Sequence, residues 1–220
     1  MHLRFPLGLL LLAAMVKGQQ APPDPSLAPI EDVQGLPRVL LIGDSISMGY
    51  TLPVRAALKG KANVHRIPGN GGPTTNGTAH VEEWVGSGQW DVITFNFGLH
   101  DLKIMENGRH QVSLADYENN LTAIAQRLKR TGAKVLFITT TPVPEGQLNP
   151  VRHTGDVPLF NGVARKVMEA EGIPVVDLYS FALARLAEIQ RPVNVHFTEA
   201  GSAVLAGEVA AAIGKALPAR

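Results

Sequence analysis

The chain has 220 residues, enough for one domain of ordinary size, and no cysteine. The lack of cysteine excludes a disulfide framework, thiolate metal sites and a cysteine nucleophile. Twenty Lys and Arg against 19 Asp and Glu leave a net charge of +1, with 45% hydrophobic and 18% charged residues. That balance describes a chain that folds around a core and carries no overall field for nucleic acid or an anionic membrane.

Residues 1–18 (MHLRFPLGLLLLAAMVKG) join a basic start at His2 and Arg4 to an apolar run from Leu7 to Val16, too short to span a bilayer. Val16 and Gly18 then offer small or modest side chains at a cleavage site, the order of a secretory signal peptide. Its removal takes Arg4 and Lys17 with it, turning the charge to −1 and leaving no membrane span in the mature chain. Residues 19–37 contain five prolines and read as a Pro-rich linker, extended or flexible, ahead of a domain at 38–220. Export without disulfides fits a secreted or periplasmic bacterial protein.

Within the domain, Arg38–Ile42 is a continuous apolar run, the pattern of a strand buried on both faces. The spacing predicts a helix over Met48–Lys59 that ends at Gly60, a weaker strand at Asn63–Ile67 and a short helix at His80–Val85. Asp91–Phe97 is a β-branched and aromatic strand, and Asp116 is expected to cap an amphipathic helix reaching Arg130. Lys134–Thr140 is a further strand, Leu159–Ala170 a helix, Pro174–Leu178 a strand and Phe181–Ile189 a short helix. Thr198 caps a last helix reaching about Leu217.

Strands that alternate with helices imply right-handed crossovers and a parallel sheet covered on both faces. The expected fold is a three-layer α/β/α sandwich, flavodoxin-like, with a five-stranded parallel sheet. Ligands of such sheets lie beyond the carboxyl ends of the strands at the topological switch point. The loops after Ile42, Ile67, Phe97 and Thr140 are therefore where chemistry belongs.

The first of these loops reads Gly43-Asp44-Ser45-Ile46, and it puts a serine at the entry to a helix. There its oxygen is exposed and the helix N-terminus favours developing negative charge. A plain helix cap is the other reading of Ser45, and neither a dinucleotide fingerprint nor a P-loop lysine is present. His196, in Val195-His196-Phe197-Thr198, precedes the last helix and can face the same crevice in the order of a serine hydrolase.

G-D-S-I at 43–46, G-L-H-D at 98–101 and V-H-F-T at 195–198 together resemble the conserved blocks of the SGNH (GDSL-type) hydrolases. The resemblance implies ester hydrolysis without a cofactor, commonly of acetyl esters on carbohydrates or of short acyl chains. It assigns Ser45 as nucleophile and His196 as general base, with an oxyanion hole from the N–H of Ser45, the glycine Gly72 (or Gly71) and the third block. His100 stands where that block usually has asparagine, and a neutral imidazole can donate in its place.

Val193 occupies the position where the family places an aspartate to orient the histidine. Loss of such an orienter costs about 10⁴-fold in the serine-protease template. A backbone carbonyl can replace it, making a Ser45–His196 dyad, or Asp177 at the end of the last strand or Glu199 can supply a displaced acid, and these readings are favoured. Asn194 is closest in sequence, but its position lets its side chain face away. Asp44 and Asp101 are read as supports of their own loops. His100, Asp101 and His110 match no familiar metal-ligand spacing, and Trp84 and Trp90 read as core ahead of sugar platforms. The loop Thr141–Pro158 is long enough to wall a pocket. The expected partner is a small-molecule or polysaccharide ester. The rival readings are a catalytically silent carbohydrate-binding protein of the same fold and a lysophospholipase or thioesterase.

Overall fold

The five apolar runs pair into one parallel sheet in the computed structural model, which describes residues 24–219. The strands are β1 (Arg38–Ile42), β2 (Asn63–Arg66), β3 (Val92–Phe95), β4 (Lys134–Ile138) and β5 (Val175–Val176), in the order β2-β1-β3-β4-β5. Every pairing is parallel: Val39 lies beside Val64 on one side and Val92 on the other, and Phe95 lies beside Phe137. Central strands of this kind are covered on both faces, which is why Val39–Ile42 and Val92–Phe95 are buried without alternation.

The helices are α1 (Ser45–Ala57), α2 (Thr74–Val85), α3 (Leu114–Lys129), α4 (Asp156–Glu171), α5 (Leu178–Leu183), α6 (Leu186–Ile189) and α7 (Glu199–Ala216). α1 packs against α7, whereas α3 packs between α2 and α4. Right-handed crossovers in this strand order put α1 on one face of the sheet and α2, α3 and α4 on the other. Strands are added on one side of β1 first and on the other side from β3 onward, so the loops after β1 and β3 flank the switch point.

Several boundaries differ from the sequence expectation. α1 begins at Ser45 itself, with Asp44 as its cap, three residues before the predicted start. α2 begins at Thr74, six residues early, because its cap is supplied from far along the chain. Pro73 offers no side-chain acceptor, and Asp101 Oδ1 accepts from the Thr74 N–H at 2.8 Å instead. α3 is capped by Ser113 and not by Asp116, whose carboxylate accepts from Ser113 Oγ–H. The strand predicted at Pro174–Leu178 pairs only through Val175–Val176, and the short helix after it is two, α5 and α6.

The signal peptide expected at 1–18 lies outside the described residues, as does the start of the Pro-rich segment. From Asp24 onward that segment is not a free linker. Asp24 caps a 3-10 turn at Pro25–Leu27, Ser26 is buried, and Arg55 Nη2 donates to Ala28 O at 3.1 Å. Asn63 exchanges two hydrogen bonds with the Val33 backbone, and Asp32 pairs with Arg38 at 2.8 Å and His65 at 2.6 Å. No described helix is long and apolar enough to cross a membrane.

Candidate active site

Ser45 opens α1 at the carboxyl end of β1, where the first N–H groups of a helix have no partner within it. Asp44, buried in front of it, accepts from the Ile46 N–H at 2.9 Å and fixes the turn. Burial pushes the pKa of Asp44 up, and its charge acts on His196 to favour the protonated imidazole. Gly71 approaches this turn closely: its N–H donates to Gly43 O at 2.9 Å, and a Cβ on Gly71 would stand 3.0 Å from that oxygen.

One residue that the sequence did not bring forward ties the two loops together. Arg66, at the end of β2, donates through Nη2 to Gly43 O (3.0 Å), Asp44 O (3.2 Å) and Gly69 O (3.2 Å). Its Nη1 donates to Ser47 Oγ at 3.1 Å. Burial lowers its pKa to about 10. An exposed basic residue at a strand end is the ordinary reading of such a position, and the carbonyls it serves belong to distant parts of the chain.

Ser45 Oγ lies 2.9 Å from His196 Nε2. The far side of the ring is held by the residue two before it: Asn194 Oδ1 stands 2.8 Å from His196 Nδ1 and 2.9 Å from the His196 backbone nitrogen. A backbone N–H can only donate, so the atom of Asn194 that meets it is the oxygen. That oxygen requires the Nδ1 proton, which leaves Nε2 as the acceptor facing the serine hydroxyl. The asparagine thus selects the tautomer that a general base needs. Asp177, raised as an orienting acid, is engaged elsewhere: it caps α5 through Ser180 N and pairs with Arg165 at 2.8 Å.

Burial lowers the His196 pKa below its ordinary value, with Arg191 and Arg152 adding to the shift. Neutral imidazole is the basic form, so it persists as pH falls until below the usual value near 6.5. The acid limb of kcat/KM for an uncharged ester is therefore expected below pH 6.5, with a plateau above it. A limb centred above pH 7 would contradict this placement of the imidazole.

His100 lines the cavity beside Ser45. Lys103 Nζ donates to its Nδ1 at 3.0 Å, and burial with the charges of Lys103 and Arg152 lowers its pKa to about 4. An ammonium accepts nothing, so neutral His100 keeps its proton on Nε2 and has one donor to offer. Gly72 differs from expectation. At φ +64° its N–H is taken by Asn70 Oδ1 at 2.9 Å, and Asn70 is the residue of this loop that reaches the cavity. Asp101 is fully buried and also accepts from Thr74 Oγ1, and burial raises its pKa to about 6. It braces α2 against the third loop. Among the described residues no three His, Asp or Glu side chains converge as a metal site.

Ser45 and His196 form the shared rim of two cavities. One, of about 270 Å³, continues past His100 and Asn194, and the other, of about 460 Å³, lies over α1 and α7. Asp24, Ser26 and Glu199 line the second, so the segment before β1 contributes to its wall. The loop after β4 meets the histidine loop where Val193 Cγ1 would stand 2.7 Å from a Cβ added at Gly146.

Val193 holds φ +45°, a left-handed conformation that a β-branched residue adopts only under strain. The residue is 53% exposed and so contributes little burial. Val193→Asn is expected to raise stability by about 1 kcal/mol, since asparagine tolerates this conformation. In a domain of this size that is about 2–4 °C in Tm. A lower melting temperature would show that Val193 packing outweighs the strain.

A doubly wound parallel sheet with a serine and a histidine in contact at its switch point fits a hydrolase built on a three-layer α/β/α sandwich. The sequence profile of the GDSL-like lipase/acylhydrolase family matches residues 41–204, and the chain belongs to that family of esterase-type hydrolases. Among solved structures it is similar to the lipase/acylhydrolase of Enterococcus faecalis, with TM-score 0.72 and 22% identity over 84% of this chain and 99% of that one. It is also similar to the acetyl xylan esterase AlAXEase (TM-score 0.69, 20% identity, 80% and 99% covered). An acetylxylan esterase of Geobacillus stearothermophilus gives TM-score 0.65 at 20% identity, with 84% and 97% covered. No curated protein sequence matches the chain.

Proposed function

We propose that this chain is an exported serine esterase that removes small acyl groups, acetyl above all, from carbohydrate esters. The observation that carries the reading is the Ser45 Oγ–His196 Nε2 contact of 2.9 Å with Nδ1 held by Asn194. In the first step Ser45 Oγ bonds to the ester carbonyl carbon and its proton passes to His196 Nε2. The carbon–oxygen bond to the alcohol then breaks, and the alcohol leaves with that proton. In the second step water attacks the acyl-serine, gives a proton to His196, and Ser45 takes it back as the acid departs. The Ser45 N–H and the His100 Nε2–H are the donors for the oxyanion.

Acetyl is favoured because a cavity of about 270 Å³ beside the serine suits a short acyl group with part of its alcohol. The acetyl xylan esterases of similar fold support a carbohydrate as that alcohol. The apolar run of residues 7–16 supports export.

A fluorophosphonate probe and a series of nitrophenyl esters test the proposal. The expected result is a covalent adduct on Ser45 by peptide mass spectrometry, and hydrolysis that falls as the acyl chain lengthens. An unlabelled Ser45 with no turnover makes the chain a silent binding protein. A maximum at long chains makes it a lysophospholipase or thioesterase.

A further inference from the structure

The smaller cavity beside Ser45 has a composition that a neutral acetyl ester does not require. Its wall contains Lys103 and Arg152 with His100 and His196, and no aspartate or glutamate lines it. Arg152 is 8% exposed, a rare degree of burial for arginine without a carboxylate partner. Its Nε donates to Leu99 O at 2.8 Å and its Nη1 to Pro150 O at 3.3 Å, both neutral carbonyls. Among the described residues neither Arg152 nor Lys103 joins an ion pair closer than 4.0 Å, although other charged side chains there do pair, such as Arg165 with Asp177 and Lys129 with Glu171. The cavity on the other side of the serine differs, since its one arginine, Arg191, is accompanied by Asp24 and Glu199.

The two cations are strong enough to act on their neighbours. Both oppose protonation of His100, and Arg152 opposes protonation of His196. Asp44 favours the charge of both at longer range, and Asp101 that of Lys103, but neither carboxylate bonds them or lines the cavity. Positive charge facing a cavity with no carboxylate of its own attracts an anion. A planar guanidinium also matches a carboxylate better than a hydroxyl or a carbonyl.

We propose that the small cavity is a carboxylate-binding subsite, and that the ester hydrolysed at Ser45 carries a carboxylate held by Arg152 and Lys103. This rests on the esterase reading and narrows its substrate to acidic esters. The charge can sit on the acyl side, as in the half-ester of a dicarboxylic acid, or on the alcohol side, as in an acetylated uronic acid. The chemistry recognised is the same.

Two matched pairs of substrates test the subsite on the whole mature protein. The acyl arm compares 4-nitrophenyl hydrogen succinate with its methyl ester, and the alcohol arm compares an O-acetylated methyl galacturonoside with its methyl ester. Each kcat/KM is divided by the uncatalysed rate. In one arm the acid is expected to exceed its methyl ester by about tenfold at low ionic strength, with the ratio shrinking at 0.5 M salt, where screening lengths are only a few ångströms. Lys103→Met and Arg152→Met are expected to bring that ratio to about one, raising KM for the acid more than for the neutral partner.

A cation that merely braced its loop would weaken both substrates of a pair alike and leave the ratio in place. Hydrolysis of the neutral esters with no preference in either arm overturns the subsite and leaves the esterase standing. Hydrolysis of none of the four, with Ser45 unlabelled, overturns both.

Discussion

Ser45→Ala and His196→Ala are each expected to lower kcat on 4-nitrophenyl acetate by about 10⁴- to 10⁶-fold, with the double variant losing no more than the worse of the two. In the proposed mechanism serine and imidazole, 2.9 Å apart, act as one unit. Without the base the hydroxyl is not activated, and without the hydroxyl the base has no nucleophile to activate. Neither replacement disturbs the frame of the site. Asp44 still caps α1 through the Ile46 N–H, and Arg66 still ties Gly43, Asp44 and Gly69. Unchanged melting temperatures are expected to accompany the loss, together with retained binding of a substrate analogue. Losses that multiply in the double variant would mean that the two residues act separately.

The second large effect concerns Asn194. Asn194→Ala removes the acceptor of both the His196 Nδ1–H and its backbone N–H, and is expected to lower kcat by about 10²- to 10⁴-fold. Asn194→Asp keeps the oxygen and adds a charge that stabilises the imidazolium formed during attack. It is expected to raise kcat/KM by about tenfold and to move the acid limb upward by about one pH unit. The sign follows from the base being the neutral form: a carboxylate beside the ring raises the imidazole pKa, so activity is lost at a higher pH than in the parent. The pH–rate profiles of the three proteins check this. An alanine variant within twofold of the parent rules out Asn194 as the orienting group.

The sheet was legible because β1, β3 and β4 are continuous apolar runs that only a doubly covered strand tolerates. That Ser45 and His196 would meet was legible because both precede or open a helix on the side where parallel sheets place their ligands, and because their blocks resemble those of a known family. The start of α2 was not, because Thr74–Gly77 has no apolar period and its cap comes from Asp101 across 27 residues. Asn194 was raised but ranked behind a backbone carbonyl and a displaced acid for a related reason. A carboxylate was expected three positions before the histidine, yet Val193 turns the chain at φ +45° and the next side chain meets the imidazole. Backbone direction at a single residue decides that, and composition does not report it. Asp177 stood at a plausible strand end, but Arg165 on α4 takes up its charge.

Arg66 also has a consequence for rebuilding this site on another scaffold. The serine turn and the glycine-rich turn are separate in the chain, yet one guanidinium serves the carbonyls of both. A transplant that carries Gly43–Ser47 and Gly69–Gly72 while leaving β2 behind delivers two loops with no common anchor. The transferable unit is therefore the pair of turns plus the last residue of the strand between them. Replacing Arg66 by an uncharged residue in the native chain should loosen both turns together.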